Sequence, residues 1–291
     1  MNLTRILVAV NAPNGRDAAF ERALMLARSS GAELYLLHAV PATQRFSSGA
    51  AERLERMTAM RQRAEAVGVR AQTVEQHGDP AEIIELHANA RAVDLIVMGA
   101  EPGRGWGRRR SMVAERVIRR TTVPTLVIAS DASDSPTAFK NLLVAVDLSP
   151  ASADLLRAAD GLASDEAARL TVMHTVTGIE SADAVQSPAR WMVPEYRAHV
   201  VEGARRQLEA VVSAVHPNAD ARVWVATGSA ARAILEHAAH EDADLIVVGR
   251  GRGVKLLGST ALRILRKNDR ALLIIPVKAD RTDSVEQLRA A

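Results

Sequence analysis

The chain has 291 residues, a formal net charge of +3, no cysteine, 48% hydrophobic residues and only 3% aromatics. Two halves of about 140 residues would each bury roughly two thirds of their unfolded surface, so two modest domains are expected. The absence of cysteine excludes disulfides, thiolate nucleophiles and cysteine-held metals, and the charge is too small to imply nucleic-acid binding. The apolar residues are mostly Ala, Val, Leu and Ile, which suit buried parallel strands under alanine-rich helices.

Taken in order, strand and helix signals alternate. Unbroken apolar runs predict strands at Ile6 to Val10, Leu34 to His38, Val69 to Val74, Leu95 to Met98 and Thr125 to Ile128. Helical spacing predicts helices at Ala18 to Ala27, Ala51 to Ala66, Pro80 to Ala90 and Met112 to Arg120 between them. Polar, proline-bearing Asp131 to Phe139 reads as a linker. The order then repeats. LVAVN at Leu7 matches LVAVD at Leu143, LYLLHAV at Leu34 matches LTVMHTV at Leu170, and DLIVMG at Asp94 matches DLIVVG at Asp244. In the second half Ser149 is placed to cap a helix with Pro150 at its first position.

The fold class is therefore α/β: two tandem Rossmann-like domains, each a five-stranded parallel sheet with helices on both faces. Their bounds are read as 1–131 and 140–278, with a charged tail at 279–291. An insert of about fourteen residues near Trp191 either lengthens a loop, lids a cleft or helps to enclose a small apolar molecule. No apolar run reaches transmembrane length and the N-terminus carries no signal pattern, which gives a cytoplasmic expectation. The last strands, Thr125 to Ile128 and Leu272 to Ile275, are candidates for pairing the halves as an intramolecular pseudo-dimer, or for pairing with a second chain as a homodimer.

In an open parallel sheet, ligands are expected at the carboxyl ends of the strands. There the second half delivers Asp147, Val176 and the stretch DLIVVGRGRGVKLLGST, whose glycines allow backbone N–H groups close to a phosphate. The candidate cofactor-binding residues are Asp147, Ser149, Val176, Gly249, Gly251, Arg252, Gly253, Gly258, Ser259 and Thr260. Asp147 would accept from a ribose hydroxyl or an adenine amine, and Ser259 and Thr260 would add hydroxyl donors at a helix start.

The LVAVDLSP start, the VMHTV strand, the ADLIVVG strand and the glycine loop closing in GST resemble the universal stress protein family, in tandem over nearly the whole chain. The resemblance implies a five-stranded parallel domain, paired domains about a pseudo-dyad and, in one branch, binding of ATP. That branch spaces its glycines Gly, two residues, Gly, nine residues, Gly-Ser or Gly-Thr. Here eight residues separate Gly249 from Gly258, and Arg252 stands where the second glycine falls. The first half departs further, with Asn11 for the aspartate and Arg110 for the last glycine.

Arg250, Arg252 and Lys255, with Arg104 and Arg108 to Arg110 in the first half, are read either as replacement phosphate donors or as surface that recruits partners. No aromatic interleaving accompanies them, so nucleic acid is not the expected partner. His237 and His240 lie three apart on a helix, but no third ligand is readable, and no metal is predicted. His38 and His174 close the second strands and are placed to satisfy backbone groups. No Walker loop, GxSxG or HExxH motif is present. The expectation is a stress-response binding or signalling module for ATP or AMP, slow nucleotide hydrolysis being the most catalysis foreseen. A nucleotide-free scaffold acting through the arginine-rich loops is the alternative.

Overall fold

A computed structural model describes residues 1–10, 17–41, 49–100, 112–129, 138–178, 193–215, 221–252 and 258–278. The first half runs β1 (Arg5–Ala9), α1 (Ala18–Ser30), β2 (Glu33–Val40), α2 (Ala50–Ala66), β3 (Ala71–His77), α3 (Pro80–Ala90), β4 (Leu95–Ala100), α4 (Met112–Arg120) and β5 (Thr125–Ala129). The second runs β6 (Asn141–Val146), α5 (Ser152–Glu166), β7 (Arg169–Val176), α6 (Val193–Val215), β8 (Arg222–Thr227), α7 (Ala230–His240), β9 (Leu245–Arg252), α8 (Ser259–Lys267) and β10 (Ala271–Lys278).

All ten strands form one sheet in the order β3-β2-β1-β4-β5-β10-β9-β6-β7-β8. Within each half every pairing is parallel. The halves meet where β5 and β10 pair antiparallel, with Val127 opposite Leu272 and Thr125 opposite Ile274. The two last-strand edges thus cover one another. Both sheet faces are apolar: Ile6, Val8, Leu34, Leu36, Val144 and Val172 meet α1, α2, α5 and α6, while Leu7, Ile96, Leu143 and Ile246 meet α3, α4, α7 and α8. That double burial is why the inner strands read as unbroken apolar runs. The edge strand β3, AQTVEQH, alternates instead and starts two residues later than its apolar content suggests.

Local chemistry sets the element ends. Asp17 accepts from the Phe20 N–H and caps α1, which closes on Gly31 at φ 74°. Asp79 accepts from the N–H groups of Ala81 and Glu82 ahead of Pro80, and so starts α3. The aspartate that opens each DLIV run is a brace at the amino ends of the strands. Asp94 accepts from the Thr4 N–H at 2.7 Å, the Thr4 hydroxyl at 2.7 Å and the Arg5 N–H at 3.0 Å. Asp244 repeats this on the N–H groups of Lys140 and Asn141.

Side chains also join the halves. Arg22 of α1 meets Glu166 of α5 at 2.6 Å, with side-chain exposures of 3% and 8%, and its guanidinium lies 3.5 Å over the Phe139 ring. The other Glu166 oxygen accepts the Phe139 N–H at 3.0 Å. On the opposite face Glu115 of α4 accepts from both Arg119 and Arg266, each at 2.9 Å, the latter from α8 of the other half.

Candidate functional site

In the second half the strand order reverses between β6 and β9, the place where an open sheet leaves a crevice. The register shapes it. β6 ends at Val146, opposite His174 of β7, and Ala145 lies opposite Val248 of β9. β7 continues to Val176 against β8, and β9 continues to Arg252 against β10. At about 3.3 Å per residue the neighbours overshoot β6 by roughly 7 Å and roughly 10 Å. The result is a notch with Asp147 to Ser149 at its floor.

The floor is tightly organised. Asp147 Oδ1 accepts from the Ser149 N–H at 3.0 Å and the Ser152 hydroxyl at 3.1 Å. Leu148 takes a left-handed φ of 61° to allow this turn. Burial pushes the Asp147 carboxyl up, but donation from Ser149 and Ser152 outweighs it and holds the group below its usual range, as a carboxylate. This turn overturns the expected cap. α5 begins at Ser152 with Ala151 in the cap position, and Ser149 and Pro150 belong to the preceding turn, because the carboxylate captures the donors first. His174 completes the floor: its Nδ1 lies 2.9 Å from the Val146 carbonyl, and His38 does the same to Val10 at 2.8 Å in the first half. Both histidines satisfy backbone groups as the sequence suggested.

The walls bring in the remaining candidates. Val176 ends β7, and Thr175 beside it carries a buried hydroxyl without a hydrogen-bond partner among the described residues. Sequence reading brings Thr175 to this strand end together with Val176 but does not count it among the binding candidates, because a threonine in an apolar strand gives no signal that its hydroxyl lacks a partner. Gly249 lies within β9, where an added Cβ would come within 3.4 Å of Leu155 on α5 and of Val277 on β10. Helix-to-strand packing therefore gives this glycine a structural use. Gly251 and Arg252 continue the strand opposite Val277 and Lys278 rather than opening a loop; Gly253 and Lys255 lie outside the described residues. Gly258 caps α8 without a side-chain hydrogen bond and with open space where a Cβ would stand, leaving Ser259 and Thr260 at the helix start.

Arg250 behaves differently from the phosphate donor that sequence foresaw. It is 6% exposed, and its guanidinium donates to the carbonyls of Arg119, at 3.4 Å, and Thr121, at the C-terminal end of α4 in the first half. Strand alternation explains this, since Arg250 shares the face of Ile246 and Val248, away from α5. A helix C-terminus, with its unsatisfied carbonyls, is a natural seat for a buried cation.

Two cavities, of about 730 and 560 Å³, lie at the amino ends of the strands and include none of the ten candidates. The larger is lined by the ends of α5 and α7, including Ala167, His240 and Glu241. Helix C-termini present carbonyls and the negative dipole end, which disfavour a phosphate. The notch at the opposite end, where α8 begins, has the favourable sign. His237 stacks on Trp224 at 4.8 Å between ring centroids, so its ring packs against the edge strand. Among the described residues no group of three histidines, aspartates or glutamates is placed to hold a metal, and no helix is long and apolar enough to cross a membrane. Asn11, Arg104, Arg108 to Arg110 and the insert around Trp191 lie outside the described residues.

Fold and crevice define a tandem doubly wound α/β protein, with helices on both faces of parallel strands and an open switch point in the second half. The chain belongs to the Universal stress protein family, whose model matches residues 2–129 and again 138–276. Universal stress protein YxiE of Bacillus subtilis is 31% identical over 147 residues, covering 47% of this chain and 99% of YxiE. The Universal stress protein A homolog 2 of Coxiella burnetii is 31% identical over 144 residues, covering 48% of this chain and 97% of that protein. In architecture the chain is similar to a functionally unknown protein of Pseudomonas aeruginosa PAO1, with TM-score 0.73, 19% identity, and coverage of 99% of this chain and 97% of that one.

Proposed function

We propose that the second half binds an adenine nucleotide, ATP or AMP, and that the protein acts as a stress-response binding and signalling module in the cytoplasm. The observation that carries this reading is the notch above β6, with an ionised Asp147 at its floor, overshooting walls on both sides and a helix start without a side-chain cap. Asp147 would accept from the ribose or the adenine amine, and the backbone at Val176 would lie against the base. The α8 start at Gly258, Ser259 and Thr260 would hold phosphate oxygens through N–H groups and hydroxyls. Gly251, Arg252 and Gly253 would lie alongside the phosphates, Gly249 would let the wall pack closely against α5, and Ser149 would keep Asp147 oriented.

Binding rather than committed catalysis fits best, because Asp147 is engaged by its own turn and, among the described residues, no acid–base pair flanks it. The arginine-scaffold alternative loses one element, since Arg250 is held on α4. Titration calorimetry with ATP and AMP tests the reading. Binding is expected, weakened about tenfold or more by Asp147→Ala; the absence of heat at high micromolar ligand, with folded protein confirmed, removes the nucleotide role.

A further inference from the structure

The two halves differ in how their paired outer helices are charged. The core aligns them residue by residue. Ala81, Ile84 and Ala88 of α3 correspond to Ala231, Ile234 and Ala238 of α7, and Ala114, Val117 and Ile118 of α4 correspond to Ala261, Ile264 and Leu265 of α8. In the first half each cation on this ridge meets a carboxylate. Arg116 lies 2.7 Å from Asp79, and Arg120 lies 2.5 Å from Glu85 and 3.7 Å from Glu82.

In the second half the cations remain and the carboxylates do not. Arg263 stands for Arg116 and Lys267 for Arg120, whereas Asp79, Glu82 and Glu85 are replaced by Ser229, Arg232 and Leu235. Arg263 and Lys267 are exposed, and neither meets a carboxylate among the described residues. Arg232 adds a further cation, which meets Glu236 of its own helix at 2.7 Å. Leu235, half-buried, offers an apolar contact where the first half has Glu85. The first half thus shows what satisfies this ridge, and among the described residues of the second half no carboxylate takes that place for Arg263 and Lys267.

We infer that the α7–α8 face of the second half docks an acidic segment of another polypeptide, whose carboxylates take the places that Asp79, Glu82 and Glu85 fill in the first half. A polypeptide suits the face better than a nucleic acid. The carboxylates that satisfy the equivalent cations are discrete and spaced three residues apart, the apolar Leu235 stands in the position of Glu85, and exposed Glu236 would repel a continuous polyanion. The face uses Arg263 and Lys267 of α8 rather than the helix start at Gly258 to Thr260, and the inference does not rest on nucleotide binding.

The test is fluorescence anisotropy of a fluorescein-labelled octaglutamate peptide titrated with the full chain, beside a single-stranded DNA octamer of similar charge. Peptide binding is expected to weaken severalfold between 50 and 200 mM salt, since exposed charges are screened over roughly 10 Å. Grafting the first-half pattern with Ser229→Asp, Arg232→Glu and Leu235→Glu is expected to weaken it at least tenfold. So is Arg263→Gln with Lys267→Gln, which changes only exposed side chains and keeps the test open should the graft fail to fold. Unchanged peptide binding in the folded glutamine variant, no peptide binding by the unaltered chain at low salt, or tighter binding of the DNA would each overturn the inference.

Discussion

Replacing Glu166 by alanine tests whether the halves are thermodynamically one unit. Glu166 receives the Arg22 guanidinium on one oxygen and the Phe139 N–H on the other, and both charged side chains are more than nine-tenths buried. Burial drives the Arg22 pKa downward, Glu166 opposes that directly, and Asp244 adds a smaller favourable charge. Without Glu166 a guanidinium remains buried over Phe139 with its principal partner gone. Loss of one partner of a buried pair costs about 3–5 kcal/mol. At roughly 2–4 °C per kcal/mol this lowers Tm by about 6–20 °C. Urea unfolding followed by circular dichroism gives the free energy, and calorimetry shows whether one transition splits into two as the halves uncouple. The double variant Arg22→Met with Glu166→Leu is expected to recover most of the loss, because apolar side chains of similar volume replace buried ion pairs at little cost. A Glu166→Ala protein within about 1 kcal/mol of the parent, unfolding in the same single transition, would refute the reasoning.

Arg250→Met removes the guanidinium from the α4 carbonyls and keeps the volume; with charge-assisted hydrogen bonds at about 1.5–3 kcal/mol, a loss of roughly 2–4 kcal/mol is expected in the same unfolding assay. Nucleotide affinity should change far less than in Asp147→Ala, which separates the inter-half contact from the proposed site. Acid should destabilise the protein in two stages. For His87 and His237, burial is the main cause of a pKa below the ordinary 6.5; Arg91 reinforces it at His87, while at His237 His240 adds to it against an opposing Glu241. For Asp94, Asp147 and Glu115, burial pushes upward, yet their donors hold them below 3.8, 3.8 and 4.5. All five folded values lie under the unfolded ones, so the stability they confer is complete above the unfolded pKa and is lost as pH falls through the folded one. The urea midpoint should therefore be level above pH 7, fall gently from about pH 6.5 and steeply below about pH 4. A midpoint that rises from pH 7 to pH 5 would contradict the assignment.

Much of the candidate site was legible, and the illegible parts share a cause. The strand ends at Asp147 and Val176 could be placed because each closes an apolar run whose length fixes where it stops. The fate of GRGR after DLIVV could not. Alternating glycines and arginines read as a loop, but β10 brings Ile275, Val277 and Lys278 alongside and the segment becomes strand. Ser149 misled for a similar reason. A serine ahead of proline looks like a cap, yet whether its hydroxyl caps or serves a neighbouring carboxylate depends on where Asp147 turns.

The sequence by itself determined the order of elements, the doubling of the chain and the apolar character of the strands, because these follow from periodicity and composition over neighbouring residues. Tertiary structure decided what distant residues do to one another: the antiparallel meeting of β5 and β10, the burial of Arg22 against Glu166, and the diversion of Arg250 to a helix end 129 residues earlier in the chain. A charged side chain looks the same in sequence whether it faces water, a phosphate or a row of carbonyls. Only the packing of the two halves supplies the partner, and the partner fixes the role.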